Sequence, residues 1–198
     1  MGSELLRSKS MQRDSYNSGD WYNRVDFTKQ SNNWNVGLPR SDKDGSNYEI
    51  ITQVIQGAGE RAQVDADNIA NMNDYFKELV ELRASSGLFS LNKGDEIKRR
   101  LAFHNTGADQ LAGVIVMSID NSGDKFDATI DAQRQGIVVV INARPTNLDF
   151  DGFDATDYQL HSISVAKGAA SLAHNAQVID GKLQVPAWSS AVFEKHIN

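Results

Sequence analysis

The run Gly136-Ile-Val-Val-Val-Ile-Asn-Ala143 constrains this chain more than any other stretch. Val138–Ile141 is apolar without a break. A strand that shows no alternation is covered on both faces, so it belongs at the centre of a sheet. It then needs neighbours, and the sequence beyond Gly87 supplies candidates. Leu88–Leu91, Ile97–Phe103, Gly113–Ile119, Tyr158–Ser164, Ala176–Ile179, Lys182–Val185 and Ser190–Glu194 read as further strands. Asp180-Gly181 is a two-residue hairpin signal, because that dipeptide tolerates the positive φ angles a tight turn demands. Short strands separated by turn signals predict an antiparallel sandwich over residues 87–198.

Ahead of Gly87 the period changes. Ile69, Met72, Phe76, Leu79 and Leu82 recur at helical spacing, with Tyr75 and Val80 widening the stripe. With Asp65 or Asp67 as cap and Arg83 at the negative end of the dipole, the spacing predicts a helix over 67–85. Ile50, Ile51, Val54 and Ile55 predict a shorter helix over 48–56, stopped at Gly57-Ala-Gly59. Residues 1–48 show no period, and Ser41-Asp-Lys-Asp-Gly-Ser-Asn47 is a turn cluster. An irregular segment that long is either functional or dependent on a neighbour. The expected fold class is α+β: loop and helix over 1–86, then an all-β antiparallel sandwich over 87–198.

Several function classes drop out. A net charge of −6 and a pI near 5.2, with no Lys/Arg run, argue against a nucleic-acid surface. The absence of cysteine excludes disulfides and thiolate metal sites. The longest apolar runs are far shorter than a membrane span, and Met1-Gly-Ser-Glu lacks the basic start and apolar stretch of a signal peptide. The compartment stays open. His104, His161, His174 and His196 are dispersed without zinc-ligand spacing. No G-x-S-x-G elbow accompanies the many serines. Asp120-Asn-Ser-Gly-Asp124 lacks the closing Glu of a calcium loop and reads as a hairpin turn.

The opening loop is richer. Arg13-Asp-Ser-Tyr-Asn-Ser-Gly-Asp-Trp-Tyr-Asn23 gathers aromatic faces, guanidinium and carboxylates. Such groups suit a sugar ring, which has an apolar C–H face and a belt of hydroxyls. They suit equally an ordinary polar loop with Trp21 and Tyr22 tucked into a core. Glu4, Asp14, Asp20 and Asp26 offer carboxylates, yet nothing in their spacing fixes the facing pair that glycoside hydrolysis requires.

Read as a string, Gly2–Asn23 resembles the segment that follows the eighth barrel strand in bacterial pullulanases and plant limit dextrinases. These are the α-1,6-glucan debranching enzymes of the α-amylase superfamily. The resemblance continues through Asn35-Val-Gly-Leu-Pro-Arg40, Gly45-Ser-Asn-Tyr48, Tyr75–Ser86 and Gly136–Ala143 to Val185-Pro-Ala-Trp-Ser-Ser-Ala-Val192. It implies that residues 1–86 are the last loop and helix of a (β/α)8 barrel and 87–198 a C-terminal β-sandwich domain. Met1 would then be an internal residue of a longer gene or a cloning start, and the chain a truncated piece. The family's catalytic carboxylates would lie upstream, leaving no catalytic residue here and a chain inactive alone.

The same resemblance puts Arg7, Arg13, Asp14, Tyr16, Asp20 and Trp21 along an α-glucan cleft (pullulan, glycogen or starch dextrins), since barrel active sites are built from the loops after the strands. Asp14 is the first choice, as an acceptor for glucose hydroxyls; Tyr16 would stack on a ring or hydrogen-bond to it. Arg7 serves equally as a tie to neighbouring carbonyls. Trp34 reads as a sugar platform or a packed residue, and Trp188 as core or sheet-edge packing. The expected partners are the glucan and an upstream catalytic barrel, with no nucleic acid and no membrane. No cofactor is expected, although the resemblance allows calcium in a full-length parent, which in bacteria would be secreted or at the cell surface. The competing reading is a non-catalytic glycan-binding or structural β-sandwich module.

Overall fold

The computed structural model describes residues 1–17 and 19–197 and falls into two compact units, Met1–Phe76 and Lys77–Asn198. The helices are α1 (Ser41–Asp44), α2 (Tyr48–Ala58), α3 (Ala66–Ala84), α4 (Gly94–Arg100) and α5 (Ser162–Lys167). The strands are β1 (Leu101–Phe103), β2 (Val114–Asp120), β3 (Arg134–Asn142), β4 (Leu148–Phe150), β5 (Gln159–Leu160), β6 (Gln177–Ile179), β7 (Lys182–Val185) and β8 (Ser189–His196).

The unbroken apolar run becomes β3, the middle strand of a five-stranded antiparallel sheet ordered β1-β2-β3-β8-β5. Its alternate residues go opposite ways. Val138 and Val140 join Val116, Ala191 and Phe193 and face Leu148, Phe150, Leu183 and Val185 of a second antiparallel sheet, ordered β4-β7-β6. Ile137 and Val139 face the other way, onto Leu82, Leu88 and Ile163. Both faces of β3 are therefore packed from Ile137 to Val140, which is why its sequence shows no alternation there, while Ile141 emerges at 39% exposure. Each fully buried Val, Ile or Phe contributes about 1.5–3 kcal/mol of apolar burial.

Gly136 allows the sheet to close where the β3–β8 register slips. A Cβ there would meet the Tyr158 hydroxyl at 2.5 Å. Burial pushes the Tyr158 phenol up to about 12, so the ring stays neutral against the sheet. The Asp180-Gly181 turn forms as expected, with φ of 50° and 73°.

Three expected strands are corrected. The second unit is mixed helix and sheet rather than all-β. Leu88–Ser90 lie in a 3-10 turn over Gly87–Ser90 that Leu91 ends, and the Ser86 hydroxyl starts it by accepting from the Leu88 N–H at 3.1 Å. Ile97–Arg100 is the end of α4 instead, and only Leu101–Phe103 pairs with β2. There Asp95 and Glu96 sit at the positive end of the dipole, and Arg100 returns to Glu96 at 2.8 Å. Within Tyr158–Ser164 only Gln159–Leu160 is strand, because the His161 ring accepts from the Ile163 N–H and opens α5. Strand β4 was not anticipated, since three residues carry too little period to read.

Helix α3 matches its expected span. Asp65 and Asn68 cap it reciprocally, at 2.7 Å and 3.3 Å. Its stripe differs from the expected one. Ile69 and Leu82 are buried, whereas Phe76, Leu79 and Val80 are exposed. Glu78 is the buried residue between them, accepting from the Ser164 and Ser171 hydroxyls at 2.7 Å each and from the Leu172 N–H at 3.1 Å.

Candidate functional site

The opening segment is irregular yet closely tied, all within the first unit. Gly2 adopts φ 99° and its carbonyl accepts from the Leu5 and Arg7 N–H groups at 3.1 and 2.9 Å. A Cβ on Gly2 would come within 2.9 Å of the Arg7 side chain, so only glycine fits. Arg7 is half-buried and donates to the Asn23 carbonyl at 3.4 Å. That is the tie to neighbouring backbone weighed for it above.

Three buried polar side chains frame the loop. Ser10 donates to the Gly37 carbonyl at 2.8 Å and accepts from the Val36 N–H at 3.2 Å. The Gln12 amide donates to the Asp14 carbonyl at 2.7 Å and to Asp44 at 3.2 Å, while its oxygen accepts from the Arg40 N–H at 3.3 Å. Asp44, 1% exposed, also accepts from Arg13 at 3.4 Å and from Asn47 at 3.2 Å. Buried polar groups of this kind are costly unless satisfied, and once satisfied they fix one geometry. Neither Gln12 nor Asp44 carries a sequence signal; only their burial reveals the role.

Between these anchors the chain turns outward. Arg13, Asp14, Tyr16, Asp20 and Trp21 are all exposed, Tyr16 at 95% and Trp21 at 51%. Tyr22 instead tucks in, and its hydroxyl donates to the Leu38 carbonyl at 3.1 Å. Asp14 accepts from the Tyr16 N–H at 3.1 Å, shaping the turn that carries the tyrosine. Arg40 donates to the Asn17 carbonyl at 2.8 Å and grips Asp42 at 2.6 and 2.8 Å. Ser18, part of the opening motif, lies outside the described residues. Of the six predicted contact residues, Arg13, Asp14, Tyr16, Asp20 and Trp21 are exposed, the last two in a 3-10 turn over Asp20–Asn23, and Arg7 is tied to the Asn23 carbonyl.

The other carboxylates are turned to local duties. Glu4 accepts from the Gly2 N–H at 3.0 Å. Asp26 accepts from Thr28 and Ser31, and the Thr28 hydroxyl above all holds its carboxyl down near about 2. Such a group is a stable anion, not a proton donor at neutral pH. Trp34 is half-buried at the edge of an open depression of about 350 Å³ shared with Asn32, Asn35 and Gln63. Trp188, expected to be packed, is 68% exposed. Its backbone N–H donates to the Arg144 carbonyl at 3.0 Å, in a turn at φ 53°.

The second unit holds a buried ionic cluster that dispersed histidines did not announce. Arg134 donates to Glu194 at 2.6 Å and to Asp131 at 3.2 Å, while Ser86 donates to Asp131 at 2.5 Å. His161 Nε2 lies 3.3 Å from Glu194 and 3.1 Å from the Ser85 hydroxyl. Its Nδ1 accepts from the Ile163 N–H at 3.2 Å, so the proton sits on Nε2. Ser85 gives its own proton to the Leu82 carbonyl at 2.7 Å. A hydrolytic triad needs the imidazole to accept from serine, and here it donates. The cluster is architectural. Among the described residues no group of three or more potential ligands could hold a metal ion.

Comparison with known proteins bears on the whole chain. The family described as alpha-1,6-glucosidases, pullulanase-type, C-terminal, matches residues 29–196. Pullulanase from Klebsiella pneumoniae is 47% identical over 194 residues, 98% of this chain and 17% of its own length. Pullulanase 1, chloroplastic, from Arabidopsis thaliana is 38% identical over 202 residues, 100% of this chain and 21% of its own length. The crystal structure of Klebsiella pneumoniae pullulanase complexed with maltotriose superposes with a TM-score of 0.90 at 48% identity, covering 100% of this chain and 18% of that one. Pullulanase from Bacillus acidopullulyticus, at 18% identity and a TM-score of 0.54, shares the fold. The chain thus spans roughly a fifth of the length of these relatives.

Proposed function

We infer, from a chain that belongs to the C-terminal family of pullulanase-type α-1,6-glucosidases, that its opening loop supplies part of an α-glucan cleft. The enzyme is completed by a catalytic barrel upstream. Residues 1–86 are then the barrel's last loop and helix, and 87–198 its C-terminal β domain. The supporting observation is the exposure of Arg13, Asp14 and Tyr16 next to the buried Gln12–Asp44 frame, with Asp20 and Trp21 exposed further along the loop. Groups pre-positioned in this way bind a sugar without first paying for their own ordering.

In this reading Asp14 accepts hydroxyl hydrogen bonds from a glucose unit, Tyr16 and Trp21 offer faces to its C–H side, and Arg13 and Asp20 border them. Arg7 keeps the loop in place. The reaction itself, hydrolysis of α-1,6 branch points in pullulan, glycogen or starch dextrins, belongs to carboxylates outside this chain. The exposed Phe76, Leu79 and Val80 of α3 form an apolar strip that the barrel would cover.

Pullulan assays decide between the parts. The chain alone should release no reducing ends. In a polypeptide that also carries the barrel, Asp14→Ala and Tyr16→Ala should each lower kcat/KM by about tenfold or more, equal to about 1.4 kcal/mol of lost glucan contact. Unchanged kcat/KM in both variants would remove the loop from the cleft. Turnover by the chain alone would reopen its own acids as a working pair.

A further inference from the structure

We propose that the outer face of the β4-β7-β6 sheet is a second binding surface for a neutral oligosaccharide, apart from the opening loop. The ligand class, an α-glucan, rests on the reading above; the surface itself rests on its own geometry.

Asp149 of β4, Gln184 of β7 and Gln177 of β6 stand opposite one another in register. Their partners Leu148, Phe150, Leu183 and Val185 point into the core, so these three point out. They are linked in series: Gln177 donates to Gln184 at 3.1 Å, and Gln184 donates to Asp149 at 3.4 Å. With Asn147, Asn175 and Pro186 they line an open depression of about 500 Å³, within the about 300–1,000 Å³ common for small-molecule sites.

The chemistry of that lining narrows the ligand. Its one ionisable group is Asp149, and it holds no cation, which disfavours anions. A single carboxylate among amides is too poor a donor set for a metal. Leu148, Val185 and Pro186 add apolar surface between the amides, which suits a ligand with C–H faces as well as hydroxyls. What remains is an uncharged molecule dense in hydroxyls, since each amide both donates and accepts in a plane.

Trp188 gives an independent indication. It follows Pro186 by two residues, is 68% exposed, and holds φ 53°, a costly conformation for a bulky side chain. The turn around it is fixed from several sides. Asn142 donates to the Val185 and Pro186 carbonyls at 3.2 and 2.8 Å, the Ala187 N–H donates to Asn147 at 3.1 Å, and Ser189 donates to Pro186 at 2.8 Å. An exposed aromatic ring on a rigid turn, two residues along the chain from the groove-lining Pro186, is the kind of platform a saccharide stacks on.

The test is an NMR titration of the isotope-labelled 198-residue chain with maltohexaose, and with cellohexaose as control. Shifts are expected at the Trp188 indole N–H and at the Gln177, Gln184 and Asn147 side-chain amides. Trp188→Gly, which is unstrained at this φ, and Gln184→Ala should each weaken that response by about tenfold with the remaining spectrum unchanged. Stillness of this face at millimolar maltohexaose, or shifts that survive both substitutions, would overturn the proposal. An equal response to cellohexaose would overturn the α-glucan assignment. Shifts confined to residues 7–21 would support the cleft and reject this surface; shifts here alone would support this surface and count against the cleft.

Discussion

Buried carboxylates in the second unit show how the surroundings of a single residue set its chemistry. Glu194 is fully buried, and burial alone would raise its carboxyl; the Ser162 N–H, Arg134 and His161 outweigh this and hold it below 4.5. Asp131 is likewise held below 3.8, with burial opposed by Ser86, the Gln133 N–H and Arg134. For His161, burial is the largest influence and pushes the ring below 6.5, with Arg134 reinforcing and Glu194 opposing. The signs then add. As pH falls through 6.5 the unfolded chain takes up a proton at this histidine that the folded chain refuses, so stability declines. Further loss follows as pH falls below 4.5, where unfolded carboxylates protonate before Glu194 and Asp131 do. Urea midpoints should therefore be level above about pH 7, fall towards about pH 5, and fall faster below it. His161→Gln should flatten the first decline, and His104→Gln, at a ring also lowered by burial, should flatten it less. Midpoints independent of pH down to about pH 5 would refute the assignment.

At the scale of elements, Gly87 is the joint between the end of α3 and the sheet that follows. Its φ needs no glycine; its surroundings do. A Cβ there would lie 2.3 Å from the Ile130 carbonyl oxygen, which is backbone and cannot swing away. Gly87→Ala should therefore cost about 1–3 kcal/mol, as overpacking does, and appear as a lower urea midpoint. By contrast Gly94→Ala meets open space at the start of α4 and should be neutral or slightly stabilising. Equal midpoints for the two variants would show that the Ile130 segment moves aside. Gly87–Ser90 and Gly94–Arg100 are helical for a related reason: short apolar runs serve turns and helices as readily as strands when a cap or an ion pair is present.

Across the whole molecule the two units are stabilised by different means. In Met1–Phe76 the buried apolar side chains among the described residues include Leu5, Tyr22, Pro39, Ile51 and Ile69, and the loop is held largely by side-chain hydrogen bonds. In Lys77–Asn198 a two-sided apolar core runs through β2, β3 and β8. Local opening costs least where little apolar surface is exposed by it. Amide hydrogen exchange should accordingly be fastest in residues 1–40, intermediate in α2, and slowest in β3 and β8. Asp44→Ala should speed exchange at Ser8–Asp14 while leaving β3 untouched, because it strips partners from Gln12 and Arg13 without reaching the sheet. Matched exchange rates in the two units would show that they open together.

The sequence alone determined that a central strand covered on both faces exists, that Asp180-Gly181 turns a hairpin, and where α2 and α3 run. These follow from local period and turn chemistry, which any stretch of chain carries with it. The opening motif likewise pointed to the family before any coordinates. Tertiary structure alone decided which groups are inside. It buried Glu78, Gln12, Asp44 and the Arg134–Glu194–His161 cluster, and left Phe76, Leu79 and Trp188 exposed. The reason is physical: burial of a polar group depends on partners far along the chain, and Glu78 meets Ser164 only once α3 and α5 are in place. No window of sequence contains both.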